Sequence, residues 1–227
     1  MVRKGFTFIE LVVAIVVIGI ALMSVPLLLS QASKSNEFSL NQEAVLAGST
    51  KIGNILTFPW DDKLVNSLSV KHILDVTHGD SELNRYPNNT SSRRIGNFKT
   101  NFRRKFDANI TYASATLGRA GDTNTTAYND IDDFNNTTQT ITSGGAGDYI
   151  KDFNLTTSVK YIDDNATYSS SPTLNLGNIN TSAAIASTNI KMVEVTVKDI
   201  ASNETLTTLR AFSANIGSYE LLYRTFP

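Results

Sequence analysis

Residues 3–26 read RKGFTFIELVVAIVVIGIALMSVP, and this stretch decides how the rest of the chain is organised. Glu10 is the only charged side chain between Lys4 and Lys34. A helix of roughly 20 apolar residues crosses the hydrocarbon core of a bilayer, so the segment is long enough to span a membrane. Arg3 and Lys4 precede it, which predicts a cytoplasmic N-terminus and an exported remainder.

Three interpretations of this segment compete. A cleaved secretory signal peptide could use residues 30–32, Ser-Gln-Ala, but a carboxylate inside the apolar region argues against it. A plain signal anchor leaves Glu10 unexplained, although a charge within the membrane costs roughly 2.5 kcal/mol or more. Cleavage between Gly5 and Phe6 would create a positive amine one helical turn from Glu10. The amine of one subunit could then pair with Glu10 of its neighbour and fix the register in which the apolar helices pack.

The sequence KGFTFIELVVAIVVIG, residues 4–19, closely resembles the N-terminal signature of type IV pilins and of type II secretion pseudopilins. The family pattern is a short basic leader ending in glycine, then an aromatic residue, a threonine, and a glutamate at the fifth mature position. Gly5, Phe6, Thr7 and Glu10 match it residue by residue, whereas Pro26 lies one residue earlier than the usual proline. The resemblance implies that a prepilin peptidase cuts after Gly5 and N-methylates Phe6, and that Glu10 serves assembly.

The apolar segment continues into an amphipathic one from Gln31 to Leu56. Phe38, Val45 and Ile52 recur every seven residues and predict one apolar face. The polar residues on the opposite side are Asn36, Glu43, Lys51 and Asn54. We therefore predict one helix from Phe6 to about Thr57, ended by Phe58-Pro59 because the residue before a proline disfavours the α conformation.

Four segments have strand character, and the spacing after the third predicts a hairpin at DIASNET, residues 199–205. They are Phe106–Ala113, Leu155–Ile162, Ile190–Lys198 and Leu206–Ser213. The predicted fold class is α+β: a long N-terminal helix, half transmembrane and half amphipathic, packed on a small antiparallel sheet. The pilin resemblance implies the same layout, and we interpret residues 114–150 and 163–189 as long polar loops.

The predicted organisation has four parts. Residues 1–5 form a leader peptide, 6–30 a transmembrane and filament-core helix, 31–57 the amphipathic half of that helix, and 58–227 a globular β-rich domain. Trp60, the only tryptophan, is expected to pack beneath this domain.

A basic stretch, RRIGNFKTNFRRKF at residues 93–106, alternates cations with phenylalanines. Its candidate nucleic-acid contacts are Arg93, Arg94, Lys99, Arg103, Arg104 and Lys105. Cations interleaved with aromatic rings can track a phosphate backbone and stack on bases. The simpler interpretation, which we prefer, is a solvated basic edge with its phenylalanines in the core.

Five stretches have the form Asp-x-Asn-x-Thr, which resembles the extended acceptor form of bacterial N-glycosylation. The candidate asparagines are Asn109, Asn124, Asn135, Asn154 and Asn165. A glycan would place these stretches in surface loops. The alternative is that a chain rich in Asp, Asn and Thr produces such runs at turns without modification.

No pattern in the chain indicates catalysis or a cofactor. The chain has no cysteine, which excludes a lipoprotein anchor, disulfides and thiolate chemistry, and its net charge of −1 favours no charged partner. A calcium loop is partly matched by the spacing of Asp122, Asn124, Thr126, Asp130 and Asp133, but Ala127 stands where that loop needs glycine and the last ligand is Asp rather than Glu. His72 and His78 have no third ligand at suitable spacing. We assign no catalytic, cofactor or metal residue and predict that the protein is not an enzyme.

These observations predict a structural subunit, a minor pilin or pseudopilin, of a type IV pilus or a type II secretion pseudopilus. Its expected partners are other subunits through the N-terminal helix, a prepilin peptidase and the inner-membrane assembly platform. Its expected location is the bacterial inner membrane, single-pass with the domain in the periplasm, and then the filament. The alternatives are a module that binds DNA or surfaces through residues 93–105 or the long loops, and a membrane-anchored exported enzyme.

Overall fold

The computed structural model describes residues 5, 7–64, 73–79, 111–119, 126–144, 149–163 and 181–216. Helix α1 (Phe8–Ile55) precedes four strands: β1 (Thr137–Ile141), β2 (Phe153–Ile162), β3 (Ile190–Asp199) and β4 (Thr205–Ala214). Each strand pairs antiparallel with the next, so the order in the sheet is the order in the sequence. A long helix on an antiparallel sheet confirms the predicted α+β fold.

Helix α1 matches its predicted range closely. It begins after Thr7, whose backbone is extended, and ends at Ile55, just before the Phe58-Pro59 pair that was expected to stop it. Pro26 lies inside the helix, which continues through it. A proline in a helix interior removes one backbone hydrogen bond, so α1 lacks one at this point.

The second half of α1 packs on β3 and β4 through small residues. Ala44, Ala47 and Gly48 are buried there, together with Ile52 and Ile55. A Cβ atom on Gly48 would lie 2.9 Å from Leu209 Cδ1 and 3.2 Å from Val197 Cγ2. The glycine therefore sets how closely the helix approaches the sheet.

The predicted apolar face of this half was wrong in part. Phe38 and Val45 are 65% and 44% exposed, and of the three residues assigned to that face only Ile52 is buried. Glu43 and Lys51, assigned to the far side, are half-buried and reach to the sheet side: Glu43 Oε1 accepts from Ile150 N at 2.8 Å, and Lys51 Nζ donates to Gln139 Oε1 at 2.8 Å. Small residues line the contact because they allow the helix to approach the sheet most closely. The largest apolar residues of the helix therefore do not mark its buried face.

The core lies between α1 and the sheet. Alternate residues of a strand point to one face, and here the buried set includes Phe153, Leu155, Val159, Val193, Val195 and Val197. Three of the four predicted strands are confirmed as β2, β3 and β4, and so is the hairpin between the last two. Asn203 turns that hairpin with a φ of 56°, and its N–H donates to Asp199 O at 2.8 Å.

Two loop and strand predictions differ from the structure. Strand β1 lies inside the predicted loop 114–150; its residues, TTQTI, are polar and largely exposed because it is an edge strand. The predicted strand Phe106–Ala113 lies mostly outside the described residues, and at its end Tyr112 forms an isolated bridge with Asp75.

Candidate functional site

The start of α1 is open to solvent. Thr7 O accepts from Glu10 N at 3.0 Å, which places Glu10 in the first helical turn, and Thr7 Oγ1 lies 3.5 Å from Glu10 Oε2. Gly5 is exposed, and a Cβ placed on it would meet nothing within 4 Å. Phe6 lies outside the described residues. The Glu10 carboxylate sits at the positive end of the helix dipole, where a negative charge is favoured.

The first half of α1 presents apolar side chains on every side. All residues from Phe8 to Leu29 are exposed, and Met23 reaches 82%. Within the described part of the chain, α1 is the one helix long and apolar enough to cross a membrane; its most apolar window has a mean hydropathy of 2.9 and none of it is buried. A helix that is apolar all round is stable when lipid or other helices surround it.

These features define a class: a protein with an apolar N-terminal helix, an acidic residue in its first turn, and an α+β domain carried on the same helix. Residues 1–25 match the family described as the prokaryotic N-terminal methylation motif. The chain thus carries the type IV pilin and pseudopilin signature at its N-terminus. No curated protein and no solved structure matches the chain.

The other sequence candidates are only partly placed. The six basic residues between Arg93 and Lys105 lie outside the described residues, as do Asn109, Asn124 and Asn165. Asn135 precedes β1, and its Oδ1 accepts from Val159 N at 3.0 Å. Asn154 is half-buried within β2 rather than in a loop. Glycosylation and nucleic-acid contact stay predictions.

The structure also assembles a buried charge cluster that the sequence did not reveal. It consists of Asp61, Asp130, Asp132, Asp133 and Lys191, all buried. The chain leaving α1 supplies Asp61, a 3₁₀ turn at Asp132–Phe134 and its approach supply three more carboxylates, and β3 supplies the lysine. One signal was present: Lys191 is in phase with Val193 and Val195, so a cation stands on the apolar face of its strand.

Lys191 is held on all sides. Its Nζ donates to Trp60 O at 2.6 Å and to Asp132 Oδ1 at 2.5 Å, and it lies 3.6 Å from Asp61 Oδ2. The same nitrogen lies 4.3 Å from the centre of the Trp60 ring and 5.3 Å from that of Tyr161. Trp60 is buried, as its predicted packing role requires. Aromatic faces stabilise the cation and keep water from it.

Backbone N–H groups satisfy most of the carboxylate oxygens. Asp130 Oδ1 accepts from the N–H groups of Asp132 and Asp133 at 2.9 and 3.1 Å, and its Oδ2 from Asp62 N at 2.8 Å. Asp61 accepts from Lys63 N at 3.1 Å and from Ser114 N at 2.9 Å. Such contacts organise three separate segments around the cluster.

Burial, and then the negative charge of Asp132, raise the pKa of Asp130 to about 8, although the charge of Lys191 opposes the shift. A side-chain hydrogen bond with Asp132 also favours the protonated acid. At neutral pH this carboxyl therefore carries a proton. Burial, and then the charges of Asp61 and Asp132, raise the pKa of the Tyr161 hydroxyl, which donates to Ser114 O at 2.7 Å.

A bound metal ion explains the cluster less well than the buried lysine does. Asp61, Asp62 and Asp130 each offer an oxygen, and these oxygens lie within 4.8 Å of one another. Both oxygens of Asp61 and of Asp130 already accept backbone N–H groups, and the Lys191 ammonium already supplies a cation. The arrangement is that of a lysine enclosed by carboxylates and rings.

Proposed function

We propose that the chain is a minor pilin or pseudopilin: a structural subunit that a prepilin peptidase cleaves after Gly5 and that polymerises through α1. The observation that carries the proposal is the methylation motif at residues 1–25 on a helix whose first half is fully exposed and apolar. In the membrane, lipid covers that surface; in a filament, the helices of neighbouring subunits cover it.

Glu10 supplies the register of the assembly. After cleavage the new amine of Phe6 lies one helical turn from Glu10 in the same chain, and at the same level as Glu10 of a neighbour displaced by one turn. Packing between apolar helices is nearly indifferent to such displacement, whereas a charge pair in a low-dielectric setting is not. The pair therefore selects one axial position.

The remaining partners follow from the same proposal. Before assembly, the subunit is anchored in the inner membrane with its N-terminus cytoplasmic and residues 58–227 in the periplasm. The inner-membrane assembly platform then incorporates it into the filament. The signature indicates a structural rather than a catalytic protein. No contact among the described residues favours the alternative of DNA or surface binding, so we do not advance it.

Processing is tested by the mass of the N-terminal peptide of the protein isolated from its own cells. We expect a chain that begins with N-methylated Phe6. A chain that keeps Met1, or that begins at Ser33, would refute cleavage after Gly5.

Assembly is tested with Glu10→Ala and a matched control, Glu37→Ala. Both residues are exposed glutamates of α1, but Glu37 lies beyond the apolar segment. We expect Glu10→Ala to be cleaved yet incorporated into filaments far less than the wild type, and Glu37→Ala to be incorporated normally. Equal incorporation of the two variants would remove the register role.

A further inference from the structure

Lys191 and Asp132 are placed as reactants rather than only as an ion pair. Both side chains are 0% exposed, and Lys191 Nζ touches Asp132 Oδ1 at 2.5 Å, which puts the nitrogen beside the carboxyl carbon. The two residues are 59 positions apart in the chain. The contact therefore joins the turn before β1 to the start of β3. Well-oriented groups held in contact can reach effective concentrations on the order of 10⁵ M.

The surroundings shield this pair from water. Both side chains are fully buried, and the Trp60 and Tyr161 rings lie beside the Lys191 nitrogen. Attack on the carboxyl carbon needs the electron pair of the amine, which is free once the ammonium has passed one proton to the Asp132 carboxylate in contact with it.

We propose that Lys191 and Asp132 condense to an intramolecular amide that staples the turn at residues 132–134 to β3. The nitrogen of Lys191 attacks Cγ of Asp132, the N–C bond forms, and the bond from Cγ to Oδ1 breaks. The ammonium begins with three protons: one stays on the amide nitrogen and two leave with Oδ1 as water. Nothing is oxidised or reduced, and no co-reactant is consumed.

Asp130 moves the protons. It is hydrogen-bonded to the Asp132 side chain and is protonated at neutral pH, so it can donate a proton to the departing oxygen and recover one from the nitrogen. It ends the reaction unchanged. Its own oxygens are fixed by the N–H groups of Asp62, Asp132 and Asp133, so it is held in place for the transfer.

The product would find its hydrogen-bond partners already in position. Asp132 Oδ2, the oxygen that stays, accepts from Gly118 N at 3.1 Å; the same N–H stabilises the negative charge that develops on Oδ2 during attack. Gly118 has a φ of 97°, a left-handed conformation that favours glycine. The amide N–H keeps Trp60 O, 2.6 Å from Nζ, as its acceptor.

Peptide mapping of the full-length protein tests the amide without any variant. After unfolding and proteolysis, we expect a branched peptide that contains Asp132 and Lys191 and is lighter than its two parts by one water. Lys151 and Asp199 serve as the internal control: Nζ and Oδ2 are 2.6 Å apart, but the lysine side chain is 45% exposed. We expect that pair to be recovered unjoined, because the lysine side chain is open to water and is not held against the carboxyl carbon.

Recovery of Asp132 and Lys191 only in separate, unmodified peptides would overturn the proposal and leave a buried ion pair.

The role of Asp130 is tested by Asp130→Asn, which keeps the shape of the side chain but cannot pass protons as a carboxyl does. We expect newly made Asp130→Asn protein to form the branched peptide at least tenfold more slowly than the wild type. Formation at the wild-type rate would refute that role. Asp132→Ala is the negative control, and it should yield no branched peptide. The outcome is independent of filament assembly, since the mapping uses the subunit alone.

Discussion

The substitution Gly48→Ala tests how the helix is seated on the sheet, and Gly53→Ala is its matched control. Both glycines lie in α1, but a Cβ on Gly53 would meet nothing within 4 Å, whereas one on Gly48 would lie 2.9 Å from Leu209 Cδ1 and 3.2 Å from Val197 Cγ2. The two variants add the same methyl group to the same helix, so their difference isolates the contact with the sheet.

The expected magnitude has two parts. Replacing glycine by alanine in a helix stabilises it by up to about 1 kcal/mol, and Gly53→Ala should gain most of this. Gly48→Ala makes the same gain but overpacks a close contact, which typically costs about 1–3 kcal/mol. The Leu209 methyl can swing away, whereas Val197 is stiff at χ1. We therefore expect the free energy of unfolding of Gly48→Ala to lie about 1–3 kcal/mol below that of Gly53→Ala.

The measurement is urea unfolding of the full chain in detergent micelles, followed by the fluorescence of Trp60. This residue is the only tryptophan and is 4% exposed, so its emission reports loss of the domain core. Equal stabilisation by the two substitutions would show that α1 does not approach the sheet as closely as the structure indicates.

Three further outcomes are expected. Asp130 has a folded-state pKa of about 8, raised from 3.8, so the folded protein binds more protons than the unfolded one between these values and loses stability as pH rises through that window. The groups that face Asp130 are Asp61, Asp62, Asp132, Asp133, Lys191 and Tyr161. Asp130→Asn should flatten that pH dependence, measured by urea unfolding at several pH values; an unchanged slope would contradict the assignment. Asn203→Gly should leave stability nearly unchanged, whereas Asn203→Val, a β-branched residue at a φ of 56°, should cost about 1–2 kcal/mol in thermal unfolding. Glu194→Gln, which removes the charge paired with Arg210 Nε at 2.6 Å on an exposed part of the sheet, should cost less than about 1 kcal/mol.

Local patterns predicted the elements that depend on neighbouring residues. The apolar run gave α1, the Phe58-Pro59 pair its end, and alternation gave β2, β3 and β4. Strand β1 was not predicted, because a largely polar edge strand has no buried face to impose an alternating pattern on its sequence. The buried face of α1 was misread because the tightness of packing, which favours Ala44 and Gly48, is a property of the partner surface and not of the helix sequence.

The charge cluster depends on contacts between residues that are far apart in sequence. Asp61, Asp132 and Lys191 lie far apart in the chain, and of the three only Lys191, a cation on the apolar face of its strand, carries a local signal. Only the meeting of three segments shows that they share one dry site. The roles predicted for Gly5 and Glu10 need no such meeting of segments, because they depend only on a short spacing along the chain.

Residues 30–38 of α1 are exposed, and partial burial begins at Ser39 and Leu40. At 1.5 Å per residue, the 10 steps from Leu29 to Ser39 amount to about 15 Å of exposed helix. When Phe8–Leu29 occupies the hydrocarbon core, headgroups take up about 5–8 Å of that length. In the proposed membrane orientation, the remainder would act as a spacer between the lipid surface and the first residues of α1 that pack on the sheet.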